Sequence, residues 1–251
     1  MGTGRLIGVG TGPGDPELLT LKAVRALSTA PVVAFFAKEG NSGNARRIVD
    51  GYLKPGQVEL PLLYPVTTEL PKDHPDYKAA ILGFYERSAE AVAAHLGEGR
   101  DVAVLSEGDP LFYGSYMHLH VRLAHRFPTE VIPGVTAMAG CWAQAGLPIT
   151  QGDDVLTILP GTMAEGELAR RLEGSEAAVI MKVGRNLGKI RRALQQTGRL
   201  DRAVYVERGT MENGFCLPLH DKPDDKAPYF SIVLVPGWQT LSTEAAPGEL
   251  S

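Results

Sequence analysis

Residues 8–16 hold four glycines and two prolines, the two residue types that most constrain where a helix or strand can run. The stretch closes an apolar run over residues 6–9 and opens onto a helical pattern over 18–27, so the chain begins as strand, rigid turn, helix. Glycine admits positive φ and close backbone approach, whereas proline fixes φ and removes a donor; Gly12-Pro13-Gly14 is therefore one stiff, specifically shaped bend. Asp15 before Pro16 reads as an N-cap followed by the first helical residue. The dinucleotide fingerprint Gly-x-Gly-x-x-Gly is not met, because its sixth position falls on Pro13 or Asp15. No Gly-Lys-Ser/Thr follows to make a phosphate loop.

The alternation continues with a strand over 32–36, a helix over 45–53, a long helix over 77–96 and a buried strand over 101–105. In the long helix Ile81, Phe84, Tyr85, Val92 and Leu96 return to one face. Alternation of this kind implies parallel strands joined by crossover helices. Beyond residue 116 the pattern gives a helix over 118–125, a strand over 130–132 and a helix over 136–145. Strands follow over 155–159, 177–183, 203–207 and 230–235, with helices over 165–172 and 187–196. The expectation is an α/β protein of two α/β domains: 1–115 with a parallel sheet, 116–240 with a mixed sheet, and a frayed tail over 241–251.

Composition narrows the function classes. A content of 44% hydrophobic and 22% charged residues is that of a globular protein, and no apolar run reaches the roughly 18 residues of a membrane span. The first residues lack a secretory pattern, which places the chain in the cytoplasm. A net charge of -4 argues against general nucleic-acid binding. Cys141 and Cys216 lie in no metal-ligand spacing and are expected as buried free thiols. His118 and His120, two apart in a helix, point to different sides, so no metal site is expected.

Two further loops share the character of the first. Ser106-Glu107-Gly108-Asp109-Pro110-Leu111-Phe112-Tyr113-Gly114-Ser115 follows the strand over 101–105, and Pro133-Gly134-Val135-Thr136-Ala137-Met138-Ala139 follows that over 130–132. Together with Gly8-Val9-Gly10-Thr11-Gly12-Pro13-Gly14-Asp15-Pro16-Glu17-Leu18-Leu19-Thr20 and in this order, over residues 5–237, they resemble the tetrapyrrole methylase family. These are enzymes that use S-adenosylmethionine (SAM) to methylate uroporphyrinogen and precorrin intermediates. Glu107 ahead of Gly108-Asp109-Pro110, then Leu111 to Ser115, resembles the branch acting at C-20 of precorrin-2. The usual uroporphyrinogen-methylase pattern, Gly-Gly-Asp-Pro followed by Phe-Gly-Arg, is absent. The segments over 179–185 and 205–210 also fit the C-20 branch.

The resemblance implies the class III SAM-methyltransferase architecture, with the cofactor in a trough between the domains, S-adenosylhomocysteine as product and a homodimeric assembly. It implies cofactor contacts from Pro13, Gly108, Asp109, Phe112, Thr136 and Ala137, and from Met181, Lys182, Arg208, Gly209 and Thr210. Asp109 could equally be only the N-cap of a helix starting near Pro110. Tyr113 and Glu107 are candidates for proton handling, beside the readings of a packed tyrosine and a solvated glutamate. The many carboxylates of such a substrate call for local cations, for which Lys38, Arg46, Arg47 and Arg185 are candidates, along with Lys182 and Arg208. The proline-rich stretch over 62–76 would be a flap on the tetrapyrrole side. A cobalt-loaded substrate, a nucleotide-cofactor oxidoreductase and a tetrapyrrole-binding protein without catalysis are the competing readings.

Overall fold

The computed structural model describes residues 2–65 and 74–237, which divide into two compact units, Met1–Ala137 and Met138–Ser251. The first unit carries an all-parallel sheet in the order β3-β2-β4-β1-β5. Its strands are β1 (Leu6–Gly10), β2 (Val32–Lys38), β3 (Val58–Tyr64), β4 (Val102–Ser106) and β5 (Thr129–Ile132), joined through α1 (Leu21–Thr29), α2 (Asn44–Ile48), α3 (Pro75–Gly97) and α4 (Tyr116–Leu123). Every residue of β1 and β4 is buried, as a parallel strand covered on both faces requires. The period-two alternation of strand side chains splits the core into two layers. Leu6, Val32, Val102 and Val104 pack with Phe84, Val92, Leu96 and Leu119 of α3 and α4, while Ile7, Val9, Val33 and Leu105 pack with Ala23 and Leu27 of α1.

The domain boundary expected after residue 115 falls between Ala137 and Met138 instead. The reason is strand order: β5 pairs in parallel with β1, Leu6 opposite Thr129, so α4 and β5 complete the first sheet. A second difference is β3, which pairs along its whole length with β2. It is an edge strand, where Pro61 is tolerated because its missing N–H can face away from the ladder. The expected flap over 62–76 therefore begins as strand and ends in α3, whose cap is His74; residues 66–73 lie outside the described residues. The first helix also starts later than expected. Asp15 caps a separate 3-10 turn, accepting from Glu17 N–H at 2.8 Å, and Thr20 caps α1 by accepting from Ala23 N–H at 3.1 Å.

The second unit carries a mixed sheet in the order β6-β7-β10-β8-β9. The strands are β6 (Leu156–Pro160), β7 (Ala177–Met181), β8 (Val204–Glu207), β9 (Phe215–Pro218) and β10 (Ser231–Val235); α5 (Ala137–Ala145), α6 (Glu165–Glu173) and α7 (Leu187–Gln196) accompany them. β6 and β7 are parallel, and β10 runs antiparallel to both β7 and β8. Leu168 and Leu172 of α6 and Ile190 and Leu194 of α7 cover Ile180 and Val233 of the sheet. β9 went unread in the sequence, being a four-residue edge strand that leaves Phe215 and Cys216 exposed. Among the described residues no helix is long and apolar enough to cross a membrane, and the expected tail over 241–251 lies outside them.

Candidate functional site

In the first unit all five strands are parallel, so their carboxyl ends share one edge, the edge where open α/β sheets bind ligands. The three glycine-rich loops leave the neighbouring strands β4, β1 and β5 there, and they touch. Gly108 N–H donates to the Gly12 carbonyl at 2.8 Å, Gly12 N–H returns a bond to Gly108 O at 3.4 Å, and Thr11 N–H donates to Ser106 O at 2.9 Å. A Cβ on Gly10 would stand 2.5 Å from Gly134 N and 2.8 Å from Gly108 O, so these backbones meet only because no side chain intervenes. Gly12 and Gly108 hold φ of 76° and 63°, the left-handed region that glycine enters without penalty.

Asp109 does more than the cap expected of it. No helix starts at Pro110, since the chain turns there and α4 begins only at Tyr116. Asp109 Oδ1 accepts from Leu111 N–H at 2.9 Å and Oδ2 from Gly134 N–H at 3.2 Å, so one carboxylate shapes the second loop and ties it to the third. Gly108 lies against the third loop as well, its Cβ direction pointing to Ala137 N at 3.5 Å. Pro13 is buried, Thr136 and Ala137 are half-buried, and Phe112 meets the Tyr113 ring edge-on at 4.9 Å between centroids. Tyr113 is 47% exposed at φ 55°, so the packed-tyrosine reading does not hold.

The cationic candidates fare unequally. Arg46 is engaged by Glu59 through Nε at 2.7 Å and a second nitrogen at 2.8 Å, and by Asp50 at 2.7 Å. Glu59, the leading cause, raises its pKa further, and the forked pair leaves little of its charge for a ligand. Lys38 ends β2, exposed, at the same sheet edge, and Arg47 contacts the Asn44 side chain. Glu107 accepts from the Asn44 amide and from Ala45 N–H, where α2 begins, with Arg47 nearby.

Although part of the Glu107 side chain remains open to solvent, protein crowds the carboxyl. This desolvation raises its pKa above the usual carboxylate range, outweighing the downward pull of Asn44, Ala45 and Arg47. A carboxyl with a raised folded-state pKa binds more protons folded than unfolded, so its contribution falls as pH climbs from the unfolded value through the folded one. Glu107→Gln is accordingly expected to flatten the loss of thermal stability on the alkaline side of pH 4.5, seen as a narrower spread of Tm between pH 4.5 and 7. An unchanged profile would contradict this assignment.

In the second unit β7 and β8 both run antiparallel to β10, so their carboxyl ends share an edge. Met181 ends β7 half-buried, followed by exposed Lys182 at φ 56°, with Arg185 exposed in the next 3-10 turn. Arg208 and Thr210, after β8, hold φ of 49° and 64°. Among the described residues the non-glycine positions with positive φ are Tyr113, Lys182, Arg208, Thr210 and Asn213, and four of these had been singled out from sequence. Such backbone is costly for residues with a Cβ and concentrates where a site needs a fixed shape. Glu207 supports the turn: its carboxylate accepts from Tyr205 OH at 2.8 Å and from Arg208 at 3.1 Å. Sequence reading passed over Glu207, whose partner Tyr205 is fully buried two positions away in the same strand.

Cys141 is buried as expected, its thiol pushed up to about 12 by desolvation that outweighs a bond from Gly209 N–H. Cys216 is exposed on β9, because an edge strand covers one side only, and this corrects the expectation. His118 stacks on Tyr85 at 3.8 Å while His120 faces the Tyr116 hydroxyl at 3.2 Å. No group of three or more His, Cys, Asp or Glu able to hold a metal occurs among the described residues.

Known proteins share this design. Residues 5–215 match the family model described as tetrapyrrole (corrin/porphyrin) methylases. The chain is 73% identical over 239 residues to precorrin-2 C(20)-methyltransferase of Sinorhizobium sp, covering 95% of this chain and 98% of that one. It is 29% identical to cobalt-precorrin-2 C(20)-methyltransferase of Salmonella typhimurium, across 92% and 96% of the two chains. Among solved structures, uroporphyrin-III C-methyl transferase of Thermus thermophilus complexed with S-adenyl homocysteine superposes with a TM-score of 0.64 at 26% identity, covering 92% of this chain and 97% of that one.

Proposed function

The chain belongs to the tetrapyrrole methylase family, and on that premise we propose that it transfers a methyl group from SAM to C-20 of precorrin-2 in cobalamin biosynthesis, releasing S-adenosylhomocysteine. The observation that carries this reading is the 73% identity, spread over 95% of the chain, to the Sinorhizobium C(20)-methyltransferase. The weaker likeness to the cobalt-precorrin-2 enzyme, 29%, favours the metal-free substrate. In this reading the protein works as a cytoplasmic homodimer.

The residues fit the donor. Bound SAM supplies an electrophilic methyl on a sulfonium, with an aminocarboxylate and a nucleoside as handles. Loops whose backbones pack at Gly10, Gly108 and Gly134 offer carbonyls and N–H groups unscreened by side chains, which suits a cation beside polar handles. Pro13, Gly108, Asp109, Phe112, Thr136 and Ala137 of the first unit, and Met181, Lys182, Arg208, Gly209 and Thr210 of the second, are the proposed contacts. Methyl transfer to carbon needs alignment and exclusion of water more than a protein nucleophile. The acceptor carbon must shed a proton, and a base works best with a pKa near the operating pH. Glu107, whose pKa is raised, is the better candidate, with Tyr113 the other. Lys38, Arg47, Arg185 and, with its charge largely engaged, Arg46 are proposed toward the substrate's carboxylates.

The test is incubation with methyl-labelled SAM and enzymatically prepared precorrin-2, locating the new methyl by carbon NMR. Label at C-20 is the expected result, and label at another ring position would refute the regiochemistry. Running the cobalt-loaded substrate in parallel decides the metal state, with faster turnover expected for the metal-free one.

A further inference from the structure

The turn after β8 is held from outside its own strand by α5, and the contact falls on the residues whose backbone is least comfortable. Thr210 N–H donates to the Gln144 side-chain carbonyl. One helical turn earlier Cys141 lies under Gly209, where a Cβ would collide with the thiol sulfur. The Gln144 amide nitrogen also stands 3.0 Å from the Cβ direction of Gly214, at the far end of the turn. α5 is a firm support at that point. It closes with Gly146 at φ 64°, Gly146 N–H donating to Ala143 O at 3.1 Å and Leu147 N–H to Trp142 O at 3.0 Å, a glycine-terminated helix cap.

Arg208, Thr210 and Asn213 hold φ of 49°, 64° and 64° in the same short turn, a shape that a threonine with its branched Cβ would leave if free. The turn's own bonds, Met211 N–H to Arg208 O at 2.9 Å and Gly214 N–H to Met211 O at 3.0 Å, close the loop without involving Thr210 N–H. That amide is fixed by Gln144. We infer that Gln144 is a positioning residue, holding the Arg208–Thr210 backbone in its left-handed shape before the donor arrives, so that binding does not have to supply the ordering. This rests on the proposed role of that turn in holding SAM. It assigns Gln144 no contact with the reacting atoms.

The test compares wild type, Gln144→Ala and Gln144→Glu, the last keeping an oxygen able to accept from Thr210 N–H. One readout is solvent exchange at the Thr210 amide by NMR in the protein alone, and the other is S-adenosylhomocysteine affinity by calorimetry. A hydrogen bond of this kind contributes about 0.5–1.5 kcal/mol, so Gln144→Ala should speed exchange and weaken affinity by roughly twofold to tenfold each. Gln144→Glu should restore both. kcat should stay near wild type while KM for SAM rises, whereas a merely structural defect would lower active protein and Tm without that split. Unchanged exchange in Gln144→Ala, or faster exchange with unchanged affinity, would overturn the inference. Wild-type protein that fails to bind S-adenosylhomocysteine would instead refute the donor reading, with exchange at Thr210 still deciding whether Gln144 sets the turn.

Discussion

Gly134→Ala is expected to weaken S-adenosylhomocysteine binding by about a hundredfold and to lower Tm by several degrees. The new Cβ would collide with the Gly108 carbonyl and lie 2.9 Å from Gly10 Cα, and all these neighbours are backbone, so no rotamer change relieves the overlap. Overpacking of this kind costs about 1–3 kcal/mol, and here the cost is met by parting the loops that form the proposed donor cradle. Every 1.4 kcal/mol of distortion taken from binding is roughly tenfold in Kd, so the upper end of that range weakens binding about a hundredfold. Gly108→Ala is the informative contrast. Its Cβ has 3.5 Å of room, and its penalty is the positive φ of 63°, about 1 kcal/mol. Calorimetry ranking Gly134→Ala no worse than Gly108→Ala would remove the argument that backbone-to-backbone packing builds this site.

Asp109→Ala should weaken donor affinity by up to about thirtyfold and lower the stability of the fold along with it. Hydrogen bonds to a charged acceptor contribute about 1.5–3 kcal/mol, and the two bonds, to Leu111 N–H and Gly134 N–H, are discounted here because the residue is half-exposed; about 2 kcal/mol is left. Asp109→Asn should fall between, since its oxygen can still accept from one N–H while its NH2 faces the other. If the alanine variant kept wild-type affinity, the carboxylate would be a local turn former without influence on the third loop.

Much of this was legible in the residues. The helices over 77–96 and 187–196 have long, strongly periodic apolar faces, and they fold as Pro75–Gly97 and Leu187–Gln196. The glycine-rich loops announce themselves through glycine and proline, whose backbone limits are intrinsic. Edge strands do not: β3 interrupts its apolar run with Glu59 and Pro61, and β9 is four residues with an exposed face. Because β3 was missed, so was the partner that engages Arg46, as Glu59 comes beside it only through the pairing of β3 with β2. The boundary was misplaced for a related reason, since the linear pattern says that 129–132 is a strand and nothing about its lying next to β1. Left-handed backbone at Lys182, Arg208 and Thr210 carries no glycine to mark it. Those residues were reached through resemblance alone.

The strand order β3-β2-β4-β1-β5 has a further consequence, for how the chain is made. Of the strands in this sheet β1 is made first, yet Leu6 bonds to neither neighbour until Val102 and then Thr129 have been synthesised. Its backbone edges wait unpaired through most of the first unit's translation, the situation in which sequence-distant pairing is slow and nascent chains aggregate. A ribosome-bound chain halted before β5 should accordingly bind chaperones and resist no protease at residues 6–10, and should gain protection there only once Ile132 has emerged.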